Sequence, residues 1–301
     1  MPSTGHSRGL AGIPGYTGES GPDGSAPGYR ARRTLGLRVE ARRQLTRRRT
    51  QISLGFLVAL PFILVAAFSF GEPGDGNPQT ALVDLATSGA ANFTVFTLFV
   101  SSGFLLVVIV ALFAGDTVAS EASWSSLRYL LAIPVPRSAL LRRKLLVALG
   151  YCVFALVLLP VMAYLVGGAF YGWAPLRTPL GGSISGSEMI VRLIIAVAYL
   201  TVVLLFVAAL AFLVGVYTDA PLGAVGGAVM LVILSNILDT ITALGEWRRF
   251  LPTHYWLAWT DVLGTEVVWN AMVRGALWSL GYSVVLLAWA WWHFERKDIT
   301  S

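Results

Sequence analysis

GDTVASEASWSSLRYLLAIPVPRSALLRRK, Gly115 to Lys144, lies between two runs apolar enough to cross a bilayer. It is too polar to stay in lipid and too regularly patterned for a slack connection. Gly115-Asp116 reads as the end of one span, with Asp116 capping a new helix. No proline or glycine interrupts Thr117 to Leu131, and Trp124, Leu127 and Leu131 share one helical face. Glu121, Ser125 and Arg128 fall largely on other faces. Pro134 and Pro136 break the chain, and Pro136 suits the first turn of a second helix. That helix carries Arg137, Arg142, Arg143 and Lys144 into the next apolar run. The stretch is thus an amphipathic helix, a rigid corner and a basic helix start. Such a helix either lies on lipid or docks a cytoplasmic protein.

The rest of the chain sets this stretch in a membrane. Of its 301 residues, 56% are hydrophobic and 13% charged, against about 25% charged in a soluble domain. Mean hydropathy is +0.70. The expected class is an all-α polytopic membrane protein. Six segments reach the roughly 20 apolar residues a bilayer requires. They are about 52–70, 93–114, 145–170, 190–217, 222–238 and 271–292. Pro160 in the third marks a kink that neighbouring helices tolerate. Only TDAP separates the fourth from the fifth.

Residues 1–29 are rich in Gly, Ser and Pro and lack the apolar core of a signal peptide. Glycine recurs every third residue from Gly12 to Gly24, too briefly for a collagen helix. This segment reads as a disordered tail. Residues 30–50 form a basic arm with nine arginines and no proline, expected to be helical. Arg42, Arg43, Arg47, Arg48 and Arg49, just before the first span, suit anionic headgroups. Direct attachment to a span argues against nucleic acid as the arm's partner. Residues 51–298 form the transmembrane domain.

Cationic residues decide orientation. With the arm inside the cell, seventeen of the 22 Lys+Arg lie on the cytoplasmic side: ten before the first span, five in the opening stretch, two after the last span. The expectation is six spans in the plasma membrane with both termini cytoplasmic. WAWWHF, Trp289 to Phe294, fits the inner aromatic belt, and Trp247, Trp256, Trp259 and Trp269 the outer one.

Several functions are excluded. The only lysines are Lys144 and Lys297, and neither follows a glycine, so no G-x-x-x-x-G-K-[ST] phosphate loop exists. Any work driven by ATP needs another chain to bind it. Single Cys152 rules out an internal disulfide and reads as a small buried residue. His6, His254 and His293 are too far apart in topology for a metal site. Within the spans, no H-E-x-x-H or G-x-S-x-G motif and no paired acids suggest an intramembrane enzyme.

Polar and small residues supply the remaining candidates. Gly223 to Gly227 (GAVGG) has the spacing for close helix approach, either between subunits or within one. Asn236 and Asp239 end the same span, where polar groups line a path or bond a neighbouring helix. Glu188 and Arg192 form an i,i+4 pair read as a solvated surface contact. Arg274 either snorkels or pairs with Asp239 or Glu266. Asn92-Phe93-Thr94 is a weak glycosylation sequon. Thr240 to Asn270, with Pro252 and four tryptophans, reads as re-entrant or interfacial half-helices.

The ordered set of features resembles the permease subunits of type-2 ABC transporters. The loop resemblance rests on Gly115, Asp116, Glu121, Ser126, Leu127, Leu130, Leu131, Pro134, Arg137 and Lys144. Trp124 departs from it, standing before Ser125-Ser126 where a Gly-Thr pair is more usual. The basic arm resembles that family's elbow helix, and RFLPTHYWLAWTDVLG, Arg249 to Gly264, its segment of proline and aromatics before the last span. The resemblance implies an exporter subunit, not an enzyme, that pairs with a second copy or a related permease. Two separate ATP-binding subunits would bind ATP and Mg. It implies a coupling role for Asp116, Glu121, Trp124, Ser125, Arg128, Pro134 and Arg137. An outer lid would use Pro252, His254 and Trp256, with a passive interfacial cap as the other reading. The broad apolar spans suit small amphipathic or lipophilic cargo; export of a lipid, ion or surface polymer, or a membrane anchor without transport, are the alternatives.

Overall fold

The computed structural model describes residues 36–70, 78–123, 137–178, 182–184, 186–264 and 266–296. It is an assembly of helices: α1 Leu37–Leu45, α2 Arg48–Phe70, α3 Pro78–Ala86, α4 Ala90–Ser102, α5 Leu105–Ser123, α6 Arg137–Tyr171, α7 Gly186–Tyr217, α8 Pro221–Thr240 and α9 Asn270–Arg296. A two-stranded antiparallel hairpin, β1 Leu176–Arg177 and β2 Ser183–Ile184, joins α6 to α7, with Leu176 opposite Ile184. Two short 3₁₀ stretches, Thr242–Phe250, kinked at Gly245, and Ala258–Leu263, occupy the segment before α9. A helix satisfies its own backbone polar groups, which is what hydrocarbon demands of a spanning segment. Helices α2, α6, α7, α8 and α9 are long and apolar enough to cross a membrane. The protein is therefore an all-helical, multi-pass membrane protein.

The second apolar run departs from the continuous span expected over 93–114. It is broken into α4 and α5, which meet at a 60° bend, and this pair counts as a sixth span only if taken together. Nor does the helix end at Gly115-Asp116: α5 runs on to Ser123. Asp116 is thus inside a helix and caps nothing. The third span, expected over 145–170, is part of a helix that starts at Arg137 and continues unbroken through Pro160. The arm is helical over Leu37–Leu45 and separate from α2; residues 30–35 and the tail lie outside the described residues, as do 297–301.

Helix α7 is the most enclosed. Helix α5 packs against α6, α7 and α8, while α9 lies along α7, and α2 and α4 lie against α6. One end of the bundle, here the arm end, gathers α1, the end of α5 and the starts of α6 and α8; Tyr217 stacks on His293 there, joining the ends of α7 and α9. The far end holds α3, the hairpin and the 3₁₀ segments. At the arm end α5 and α7 approach so closely that a Cβ on Gly215 would lie 2.4 Å from the Gly115 carbonyl oxygen. A Cβ on Gly115 would in turn stand 3.4 Å from that of Ala224 on α8. At the other end Gly167 of α6 admits the Phe93 ring, whose edge also meets Phe68 at 6.2 Å between centroids.

This spacing predicts that Gly215→Ala forces α5 and α7 apart and costs about 1–3 kcal/mol. Gly150→Ala, inside α6 with nothing within 4 Å of the new methyl, does not lower stability and raises it by up to about 1 kcal/mol through helix propensity. Thermal unfolding of the solubilised protein distinguishes the two.

Candidate functional site

The arm end is held by charge. Asp116 is only 2% exposed, at a depth where a lone carboxylate is costly. It is met by two arginines of the arm. Arg47 Nη1 donates to Asp116 Oδ2 at 2.8 Å and to Ser120 Oγ at 2.9 Å. Arg49 Nη1 donates to the other carboxylate oxygen. Hydrogen bonds between charged groups are about twice as strong as neutral ones. A second pair runs the other way: Lys144 of α6, 2% exposed, donates to Glu40 Oε1 at 3.2 Å. Tyr151 donates its hydroxyl to the Ala41 carbonyl at 2.7 Å, and buried Gln44 reaches the Phe113 carbonyl at 3.5 Å. The arm is thus fastened to α5 and α6.

This divides the arginines expected at the membrane surface. Arg42, Arg43 and Arg48 are exposed, whereas Arg47 and Arg49 are turned inward onto Asp116. Sequence periodicity missed this, because the partner lies 69 positions from Arg47. Of the other loop positions, Trp124, Ser125, Arg128 and Pro134 lie outside the described residues, as do the side chains of Glu121 and Arg137.

The far end is held by hydrogen bonds. The segment from Thr242 to Gly264 is bonded to α4, α7, α8 and α9. Buried Ser235 and Thr253 share a bond of 2.8 Å. Asp239 Oδ1 lies 2.6 Å from His254 Nδ1, while Arg248 Nη1 donates to the Asp239 carbonyl at 3.2 Å. Tyr199 donates to the Tyr255 carbonyl at 2.7 Å, and Gly275 of α9 leaves room for that contact. Tyr282 donates to the Phe250 carbonyl at 2.5 Å. Most telling is Trp256, whose Nε1 donates to the Ser102 carbonyl at 3.2 Å. Ser102 ends α4, so the carbonyl freed by the bend finds its donor in this segment. Irregular backbone at membrane depth survives only with such protein partners.

Several expectations are corrected here. Trp256 and Trp259 are buried and form no surface belt, whereas Trp247 and Trp269 are exposed. The Glu188–Arg192 pair exists at 2.6 Å, but Arg192 is 8% exposed. Its guanidinium also donates to the Val262 carbonyl at 3.0 Å and to that of Gly264, so it anchors the segment and is no solvated contact. Arg274 is exposed and pairs with neither Asp239 nor Glu266. Asn92 is buried, and both polar atoms of its amide bond the backbone of Arg177, at 2.8 and 2.9 Å. Its side chain is a clamp on the hairpin and is closed to glycosylation. In α8 the alanines packed inward are Ala224 and Ala228; Gly223 is exposed, and a Cβ on Gly227 would meet only Val214, at 3.5 Å. Asn236 is half-buried without a hydrogen-bond partner among the described residues, and Pro252 is half-buried. Cys152 is buried, as read.

Between these anchors lies a cavity of about 510 Å³ at the far end, walled by Leu85, Val95, Phe96, Trp259 and Leu263, with Arg177 at its edge. A second groove of about 690 Å³ runs between α6 and α7 beside Pro160 and is almost wholly apolar.

Long apolar helices packed into one bundle, with a buried ionic cluster at the arm end and a hydrogen-bonded segment at the other, define a multi-pass helical membrane protein. Residues 56–300 match the family described as "Protein of unknown function (DUF2705)", and the chain belongs to that family. No curated protein matches the chain.

Removing the buried charge tests the arm's attachment. Asp116→Asn leaves Arg47 and Arg49 without their anion and costs about 3 kcal/mol, the low end for a broken buried pair because both arginines keep some solvent. Trypsin cleavage after Arg47 and Arg49 then rises sharply, while Asp84→Asn on α3 leaves the cleavage pattern unchanged.

Proposed function

We propose that the chain is the transmembrane permease subunit of an ATP-driven ABC exporter. The observation that carries this reading is the ionic block at the arm end. Arg47 and Arg49 on Asp116, with Lys144 on Glu40, join the arm to both helices that flank the stretch 124–136. A force applied to that stretch by a partner passes into α5 and α6 together, because neither can move without breaking a buried ion pair. Its amphipathic pattern gives the partner a surface, and the missing phosphate loop explains why a partner is required.

In this reading α4 and α5 form one bent span, giving six, and both termini lie in the cytoplasm of a plasma-membrane protein. The distribution of Lys and Arg supports it. The partner binds ATP and Mg; a second copy of the chain, or a related permease, completes the membrane part. The segment Thr242–Gly264 serves as the outer lid, with Pro252, His254 and Trp256 in it. The cargo is small and amphipathic or lipophilic, moved outward past apolar helices in which Asn236 keeps an unused polar group; Asp239 is committed to His254. Arg42, Arg43 and Arg48 face anionic lipid.

Co-expression with a candidate ATP-binding subunit of an ABC transporter tests the assignment. The two chains copurify, and the permease raises the partner's ATPase rate several-fold. Glu121→Arg abolishes that stimulation. Copurification and stimulation both surviving Glu121→Arg would remove the coupling role from this stretch.

A further inference from the structure

We propose that the far-end cavity is a binding site for a single-chain anionic amphiphile, with an acyl tail inside and a carboxylate or phosphate head at Arg177. The inference stands apart from the export reading, since the site is built within one chain.

Three observations carry it. The volume of about 510 Å³ falls in the roughly 300–1,000 Å³ range of small-molecule sites. Its walls are apolar side chains from three separate elements: Leu82 and Leu85 of α3, Val95, Phe96 and Phe99 of α4, and Leu263 of the second 3₁₀ helix. From Asn92 to Phe99 along α4 is about 10 Å, enough depth for much of an acyl chain.

The second observation is an unmet donor. Trp259 is 0% exposed, and its Nε1 is the buried side-chain polar atom without a partner among the described residues. Buried donors in folded proteins are almost always paired. Trp259 is part of the cavity wall, and in this proposal an ester or carboxyl oxygen near the occupant's head becomes its acceptor after a small shift of the side chains that cover Nε1.

The third is charge. Arg177 borders the cavity, its side chain is exposed, and no carboxylate among the described residues pairs with it. Its backbone is held on both sides by Asn92, so the guanidinium is presented from a clamped strand. The apolar groove beside Pro160 has no comparable cation or orphan donor, which separates a headgroup-reading site from a simple lipid-facing crevice.

The full-length protein in phosphatidylcholine nanodiscs is exposed to three photoactivatable probes: palmitate, lysophosphatidylglycerol and an uncharged monoacylglycerol. Crosslinks are mapped by peptide mass spectrometry. The proposal expects at least one anionic probe to label residues 82–100 in preference to the neutral one. Which of the two labels better identifies the head as carboxylate or phosphate. Val95→Trp fills the cavity and cuts labelling about tenfold, equivalent to about 1.4 kcal/mol of affinity. Arg177→Gln erases the preference for anionic probes, and Trp259→Phe weakens labelling without moving it. If Val95→Trp does not fold, Leu263→Phe replaces it. Labelling spread over the exposed faces of α2 and α9 and indifferent to these substitutions means annular lipid only and overturns the proposal. So does equal labelling of the wild type by neutral and anionic probes.

Discussion

A carboxylate that is 2% exposed fixes the architecture of the arm end. Asp116 lies on α5 where α7 and α8 crowd against it, and the Gly115–Gly215 approach leaves no room for water or a larger neighbour. A charge in that position persists only with opposite charge and donors at hand. Arg47 and Arg49 provide both, and reaching Asp116 requires the chain to turn between α1 and α2. The direction of the arm, the position of Glu40 and its pairing with Lys144 follow from that requirement.

The far end answers a different constraint. Hydrocarbon supplies no partner for a backbone carbonyl freed by a bend. The break after Ser102 therefore depends on the Trp256 indole, and Trp256 is held there by Thr253 on Ser235, Tyr199 on Tyr255 and Arg192 on the last turn of the segment. Bend and segment stabilise each other. Burial of Trp259 belongs to the same packing, which also leaves the adjoining cavity.

Much of this was legible in the sequence. Apolar runs of the right length located the spanning helices, because their cause is local. The segment Thr240 to Asn270 was legible as non-spanning because Pro252 and short apolar runs forbid a long helix. The bend was not: FVSSGFLL reads as one apolar run, and the cluster Ser101-Ser102-Gly103 was its only signal. The decisive donor is 154 residues away. Asp116 reads locally as a cap, since a polar residue after glycine suits a helix start, and nothing local reveals that α5 continues. The i,i+4 spacing pairs Arg192 with Glu188, but its hold on the Val262 carbonyl arises from tertiary folding. At both ends the misread residues are those whose partners are distant in sequence.

The proposed topology puts the arm, the start of α6 and the C-terminal end of α9 together on the cytoplasmic side. Side-specific labelling tests it most directly. In a Cys152→Ser background, single cysteines replace Arg38, Glu295 and Trp173, all exposed, and a membrane-impermeant maleimide is applied to intact cells and to inverted vesicles. The account predicts that positions 38 and 295 label only in inverted vesicles and position 173 only in intact cells. Labelling of 38 and 295 from opposite sides means α4 and α5 do not form one span, and contradicts it.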